Sequence, residues 1–229
     1  MPIVRILLVL LALASPALAQ DGARDAAAAR EAAQAFRVYV EGVTKKGGRP
    51  DLTRPEVATL LGRVFDLGAL NALPPAQASD LPWLVDWLEA ANATNKLFLL
   101  YGSKPGPQPD LEAIQRNMTE YEDQYAATMN FLIRFQARMA VSLNMFMADL
   151  APEQRTRVRE EGVARARSGA AEMIGSAIGG VILSGGKPAN ARLVAAAIRD
   201  TREVSASFFL PQGRARMIEQ LAQLSQLER

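Results

Sequence analysis

Apolar side chains recur at alternating three- and four-residue steps between Asp110 and Leu150: Leu111, Ile114, Met118, Tyr121 and Tyr125, then Leu132, Phe135, Met139 and Phe146. Only Thr128 and Ser142 weaken the seam. Such spacing kept up for about forty residues predicts a helix roughly 60 Å long, packed lengthwise against other helices. From Met129 to Met147 a second apolar set joins it: Phe131, Ile133, Val141, Leu143, Met145 and Met147. A helix apolar on more than one face is surrounded. Residues 110–150 are therefore expected to form the central helix of an all-α bundle.

The flanking pattern supplies about seven helices in all, counting the central one. An Ala-rich run from Asp25 to Thr44 carries Phe36, Val38, Val40 and Val43 and is closed by Gly47-Gly48. Thr53-Arg54-Pro55-Glu56 reads as a helix start with Thr53 as N-cap, followed by Val57, Leu60, Leu61, Val64 and Phe65 and a stop near Gly68. Ser79 or Asp80 caps a third helix, which holds Trp83, Leu84, Trp87, Leu88, Leu97, Phe98 and Leu100 and ends at Gly102. Residues 102–109, with three prolines and two glycines, form the best linker in the chain. Three short helices make a poor independent core, so residues 20–229 are expected to form a single domain, with 102–109 as its one candidate subdivision.

Pro152 should end the central helix, because the residue before a proline avoids the α region. The helix that follows, 152–183, has two characters. Its first half is charged, with Arg157, Glu161 and Arg165 at four-residue spacing. Its second half, 169–183, is almost wholly small and apolar. Pro188 and Pro211 open the last two helices. No stretch alternates with period two for long enough to form a strand.

The chain contains neither Cys nor His. That excludes disulfides, thiol redox chemistry, Cys/His zinc sites and every histidine-dependent catalytic triad. Residues 1–19 read as a secretory leader: a positive end through Arg5, a short apolar run from Ile6 to Ala14, and the small-x-small site Ala17-Leu18-Ala19. The run is too short to span a bilayer. The mature chain is thus expected to begin at Gln20 and to be periplasmic or secreted. Arg5 departs with the leader, so the 26 basic side chains become 25 against 24 acidic ones. A net charge of one provides no field to steer the protein onto nucleic acid.

Several short motifs dissolve on inspection. Ser184-Gly-Gly-Lys187 matches the S-x-x-K of serine acyl-transferases, but Pro188 follows the Lys and no K-T-G completes the set. Residues 180–187 miss the phosphate-loop spacing by one. Glu120, Asp123 and Gln124 share a helix face, as do Asn92, Asn95 and Lys96; both read as solvated faces. The methionines of the central helix read as core filling. No catalytic, cofactor or metal site is assigned. Ala171, Gly175 and Gly179 recur every fourth residue, as do Ser176, Gly180 and Ser184, a spacing that lets another helix approach closely.

The least ordinary feature is a polar stripe, Asn130, Arg134 and Arg138, on the otherwise apolar spine. If the helices on either side of Ala151 form an antiparallel hairpin, Glu172 falls opposite Asn130, with Arg134 one turn away. A carboxylate in an apolar segment needs such partners. The same register sets Gly175 and Gly179 against Tyr121 and Tyr125.

Leu150-Ala151-Pro152-Glu153-Gln154-Arg155 resembles the L-T-P-E-Q motif of Spy/CpxP-type periplasmic helical proteins, with Ala151 where that family has Thr. The resemblance implies a chaperone or an envelope-stress sensor. The reading as a whole is a non-enzymatic binding or scaffolding protein of the cell envelope. Its partner is unspecified, and another envelope protein would suit. The alternative is a chaperone-like or membrane-surface protein. An enzyme working through carboxylates, Arg and Lys alone is a third reading.

Overall fold

The computed structural model describes residues 20–104, 106, 108–158, 175, 177–181, 186–202 and 211–227. The described elements are helical: α1 (Gln20–Thr44), α2 (Pro55–Val64), α3 (Leu67–Ala72), a 3-10 turn (Ala78–Asp80), α4 (Leu81–Leu100), α5 (Leu111–Glu120), α6 (Glu122–Asp149), α7 (Pro152–Val158), α8 (Pro188–Asp200) and α9 (Pro211–Leu227). Residues 177–181 are also helical. Among the described residues there is no strand. The protein is an all-α bundle.

The core forms where α6 crosses the other helices. Residues 128–133 are buried at every position, as a surrounded helix requires. Phe131 and Phe135, one turn apart, bracket the Trp87 ring of α4 at centroid distances of 5.6 and 5.4 Å. Phe65 meets Phe131 edge-on at 5.7 Å. Such pairs add about 0.5–1.5 kcal/mol each beyond area burial. The indole N–H of Trp87 donates to the carbonyl of Val64 at 2.8 Å, so the buried ring leaves no orphan donor. On α1, the small side chains of Ala26, Ala29 and Ala32 are buried, followed by Phe36 and Val40. They let α1 lie close along α4, its most extensive partner.

Four expectations need correction. The long helix is not continuous: α5 and α6 are separated at Tyr121, whose backbone leaves the helical region (φ −123, ψ 47). Its side chain accounts for the bend: the phenol donates to the Pro50 carbonyl at 3.0 Å and the ring meets Phe98 at 6.4 Å. The apolar pattern is also imperfect, since Leu111 at the start of the seam is 74% exposed and Met145 of the second set is 43% exposed, while Phe146 at the end of the seam is buried. The second helix divides into α2 and α3, with Asp66 capping α3 through Ala69 N–H. Finally, Thr53 is not the cap of α2. Its N–H and hydroxyl both turn back to Asp51 Oδ1, at 2.9 and 2.6 Å, and Arg54 takes the cap position without a side-chain bond. A local side-chain turn has outcompeted capping.

Other boundaries follow local chemistry. Gly47 and Gly102 adopt φ +72 and +71 just beyond α1 and α4, as left-handed helix endings favour. Leu150 is extended (ψ 145), so α6 stops before Pro152. The Arg155 guanidinium then donates to the Ala148 and Leu150 carbonyls at 2.9 and 3.0 Å, covering acceptors that the helix end leaves open. The motif from Leu150 to Arg155 therefore acts locally as a helix-to-helix corner.

Candidate functional site

The two arginines of the polar stripe on α6 bond to other elements of the fold. Asn130 is buried, and its Oδ1 accepts from Arg134 Nε at 3.0 Å. Arg134 also reaches Asp200, at the end of α8, at 2.6 Å. One turn further, a terminal nitrogen of Arg138 donates to Asp80 Oδ2 at 3.0 Å and to the Pro74 carbonyl at 2.8 Å. Its guanidinium carbon lies 5.7 Å from the centroid of the Trp83 ring. The Arg138 and Asp80 side chains are only 13% and 10% exposed. Asp80 Oδ2 additionally accepts from Gln77 N–H at 3.0 Å, within a reciprocal cap of the 3-10 turn. Arg138 thus ties α6 to the turn that opens α4, and Arg134 ties it to α8.

Glu172 lies outside the described residues, so its expected contact with Asn130 or Arg134 does too. Tyr125 meets Gly180, one position on from Gly179. A Cβ built on Gly180 would come within 2.2–2.4 Å of Tyr125 ring and hydroxyl atoms, whereas one on Gly179 would have nothing within 4 Å. Each helical residue turns the chain by about 100°, so a register counted from the Ala151 corner misses easily by one position. Tyr121 turns to Pro50 and Phe98 instead. Burial raises the pKa of both phenols, strongly.

A second polar group sits at the start of α6; it joins Asp123, read from the sequence as part of a solvated face and 66% exposed, to Glu122, which that reading did not single out. Glu122 is 6% exposed, and its Oε1 accepts from Lys187 N–H at 2.8 Å and Asn190 Nδ2 at 3.0 Å. Asp123 accepts from the same Asn190 nitrogen at 2.8 Å and from Lys187 Nζ at 3.0 Å. The bonds from Asn190 and Lys187 hold the Asp123 carboxyl below its ordinary value. The bond to Asp123 raises Lys187 in turn. Both carboxylates occupy the first turn of α6 and face the first turn of α8. Two helix N-termini, each favouring negative charge, thus share one clasp. Acidic residues directly after a helix break would have been the sequence signal, but a pattern read as one unbroken helix hides it.

Asn117, fully buried on α5, donates to the Leu99 and Tyr101 carbonyls at 2.8 and 3.0 Å, closing the C-terminus of α4. Arg49 pairs with Glu120 across the chain. A shallow depression of about 470 Å³ lies along one face of α5, lined by Glu112, Gln115, Arg116, Thr119 and Glu120. Among the described residues no three carboxylates converge as metal ligands. None of the described helices is long and apolar enough to cross a membrane. What these groups do chemically is accept and donate hydrogen bonds between helices. Comparison of the chain with protein-family models, curated proteins and solved structures found no match.

Proposed function

We propose that the chain is an exported, non-enzymatic helical protein of the cell envelope that works as a binding or scaffolding element. The observation that carries this reading is how the charged side chains of α6 are used. Arg134, Arg138, Glu122 and Asp123 each reach another helix or the turn that opens one, through Asp200, Asp80, Lys187 and Asn190. Groups committed to cross-links of this kind make a frame that holds its outer faces in fixed relation, which suits presentation of a surface to a partner. The leader pattern of residues 1–19 supplies the route of export.

The test combines fractionation with cross-linking. In a Gram-negative host the processed protein should be released by osmotic shock. A photoreactive residue introduced at exposed positions such as Leu111 or Ile218 should give a discrete adduct within the envelope. A protein retained unprocessed in the cytoplasm, or exposed positions that yield no adduct, would overturn the proposal.

A chaperone-like role is the second reading. It is favoured by the exposed apolar side chains Val38, Leu111 and Ile218, at 59%, 74% and 55%, and by the resemblance at Leu150–Arg155. Suppression of aggregation of a chemically denatured client at equimolar ratio would support it over the first reading.

A further inference from the structure

Sharp breaks in a helix ordinarily mark a Pro, a Gly/Ser pair or an inserted group. Residues 117–125, which span the break at Tyr121, contain no Pro, Gly or Ser. The apolar seam also runs through it without a change of step, from Met118 to Tyr121 to Tyr125. Nothing local calls for the break, and the contacts that hold it come from distant parts of the chain. The Tyr121 phenol donates to the Pro50 carbonyl in a buried bond. Its neighbour Glu120 pairs with the neighbouring Arg49. The loop that presents both is itself braced: Asp51 N–H donates to the Tyr39 hydroxyl at 2.8 Å, and that hydroxyl lies 3.2 Å from the Asp51 carbonyl as its donor.

We propose that α5 is a strap hinged at Tyr121. Latched by Pro50 and Arg49 it lies against the end of α4; unlatched, it swings out and continues α6 as one straight helix. A few residues at the junction of two elements absorb the change, as in other hinges. The moving side is α5, which buries only Ala113, Asn117 and Met118. The fixed side is α6, buried at every position from 128 to 133 and bonded to the start of α8 through Glu122. The helical ladder stops with Tyr121 N–H on the Asn117 carbonyl at 3.2 Å and resumes with Tyr125 N–H on the Tyr121 carbonyl at 2.9 Å. Straightening gives the N–H groups of Glu122 and Gln124 the carbonyls of Met118 and Glu120, groups that helix ends otherwise leave open. It gives up the Tyr121 bond, the ring contact with Phe98, and the bonds from Asn117 to the Leu99 and Tyr101 carbonyls. One set of hydrogen bonds is exchanged for another, so the balance between the two states rests on a handful of side chains. Opening also bares Ala113 and Met118, on a helix whose Leu111 is already exposed.

Nuclear magnetic resonance of the whole chain reads the hinge directly. The Cα chemical shift of residue 121 reports whether its backbone is helical, and amide exchange at Glu122 and Gln124 reports whether the ladder is closed. In the wild type residue 121 should be non-helical, with both amides exchanging fast. Tyr121→Phe keeps the ring and removes the latch bond, and should add microsecond-to-millisecond exchange broadening across residues 120–124. Asn117→Ala/Tyr121→Leu, which frees the strap, should give a helical shift at residue 121 and slow both amides by about tenfold or more. A non-helical residue 121 in the freed variant, with α5 still protected, would overturn the proposal, because the break would then be local. Loss of protection along α5 would overturn it too, because the strap would melt rather than straighten. A Tyr121→Phe variant that stays folded without broadening would do the same.

Discussion

Removing Arg138 tests most directly whether the stripe on α6 acts as interior cross-linking. Its guanidinium makes two hydrogen bonds, to Asp80 at 3.0 Å and to the Pro74 carbonyl at 2.8 Å, and lies over Trp83. With both partners of the ion pair at 13% exposure or less, solvent screens it little. Breaking a buried pair from one side costs about 3–5 kcal/mol, because the remaining charge is left uncompensated. Asp80 would keep its bond from Gln77 N–H, which lowers the figure, while loss of the ring contact adds about 0.5–2 kcal/mol. Arg138→Ala should therefore destabilise by about 2–4 kcal/mol. Arg138→Met, which restores the apolar stem, should recover part of that. Urea unfolding followed by far-UV circular dichroism measures both. A cycle with Asp80→Asn should give a coupling of about 1–2 kcal/mol. A loss below about 1 kcal/mol for Arg138→Ala would put the pair in the class of exposed salt bridges and refute the interior role.

Three further outcomes can be checked independently. Gly180→Ala should destabilise by about 1–3 kcal/mol, because the new methyl meets the buried Tyr125 ring, whereas Gly179→Ala should be neutral or stabilising by up to about 1 kcal/mol; equal melting temperatures for the two would contradict the packing. The Asp123 carboxyl is held below its ordinary value by the bonds from Asn190 and Lys187, so its contribution is present above the ordinary value and is lost as pH falls through the lower, folded one. Acid unfolding of the wild type should accordingly steepen below about pH 4 relative to Asp123→Asn, and parallel acid curves would argue against the clasp. Helices on both sides of residues 102–109 contribute to one buried cluster, so calorimetry should record a single transition, and two resolved peaks would establish two domains.

The all-α class and the surrounded middle of the spine were legible in the chain itself. Both depend on which positions are apolar, and a helix imposes its period on any sequence that follows it. The ends of α1 and α4 and the corner before Pro152 were legible for the same kind of reason, since Gly47, Gly102 and Pro152 act through backbone geometry within a few residues of themselves. The stripe of Asn130, Arg134 and Arg138 stood out because polar groups on an apolar face must find partners.

Which partners they find was decided only by the fold. Asp80 lies 58 residues from Arg138, and Asp200 lies 66 residues from Arg134. No periodicity encodes separations of that length. The break at Tyr121 is of the same origin: the residue continues the apolar seam, but its phenol is drawn to Pro50, 71 residues away. Once the helix bends there, Glu122 and Asp123 become the first turn of a new helix and can receive the start of α8. Local pattern determines where side chains can face, because it is written in rotation per residue. The identity of what they face depends on how whole helices dock, and that is set by the sum of burial and hydrogen bonding over the bundle.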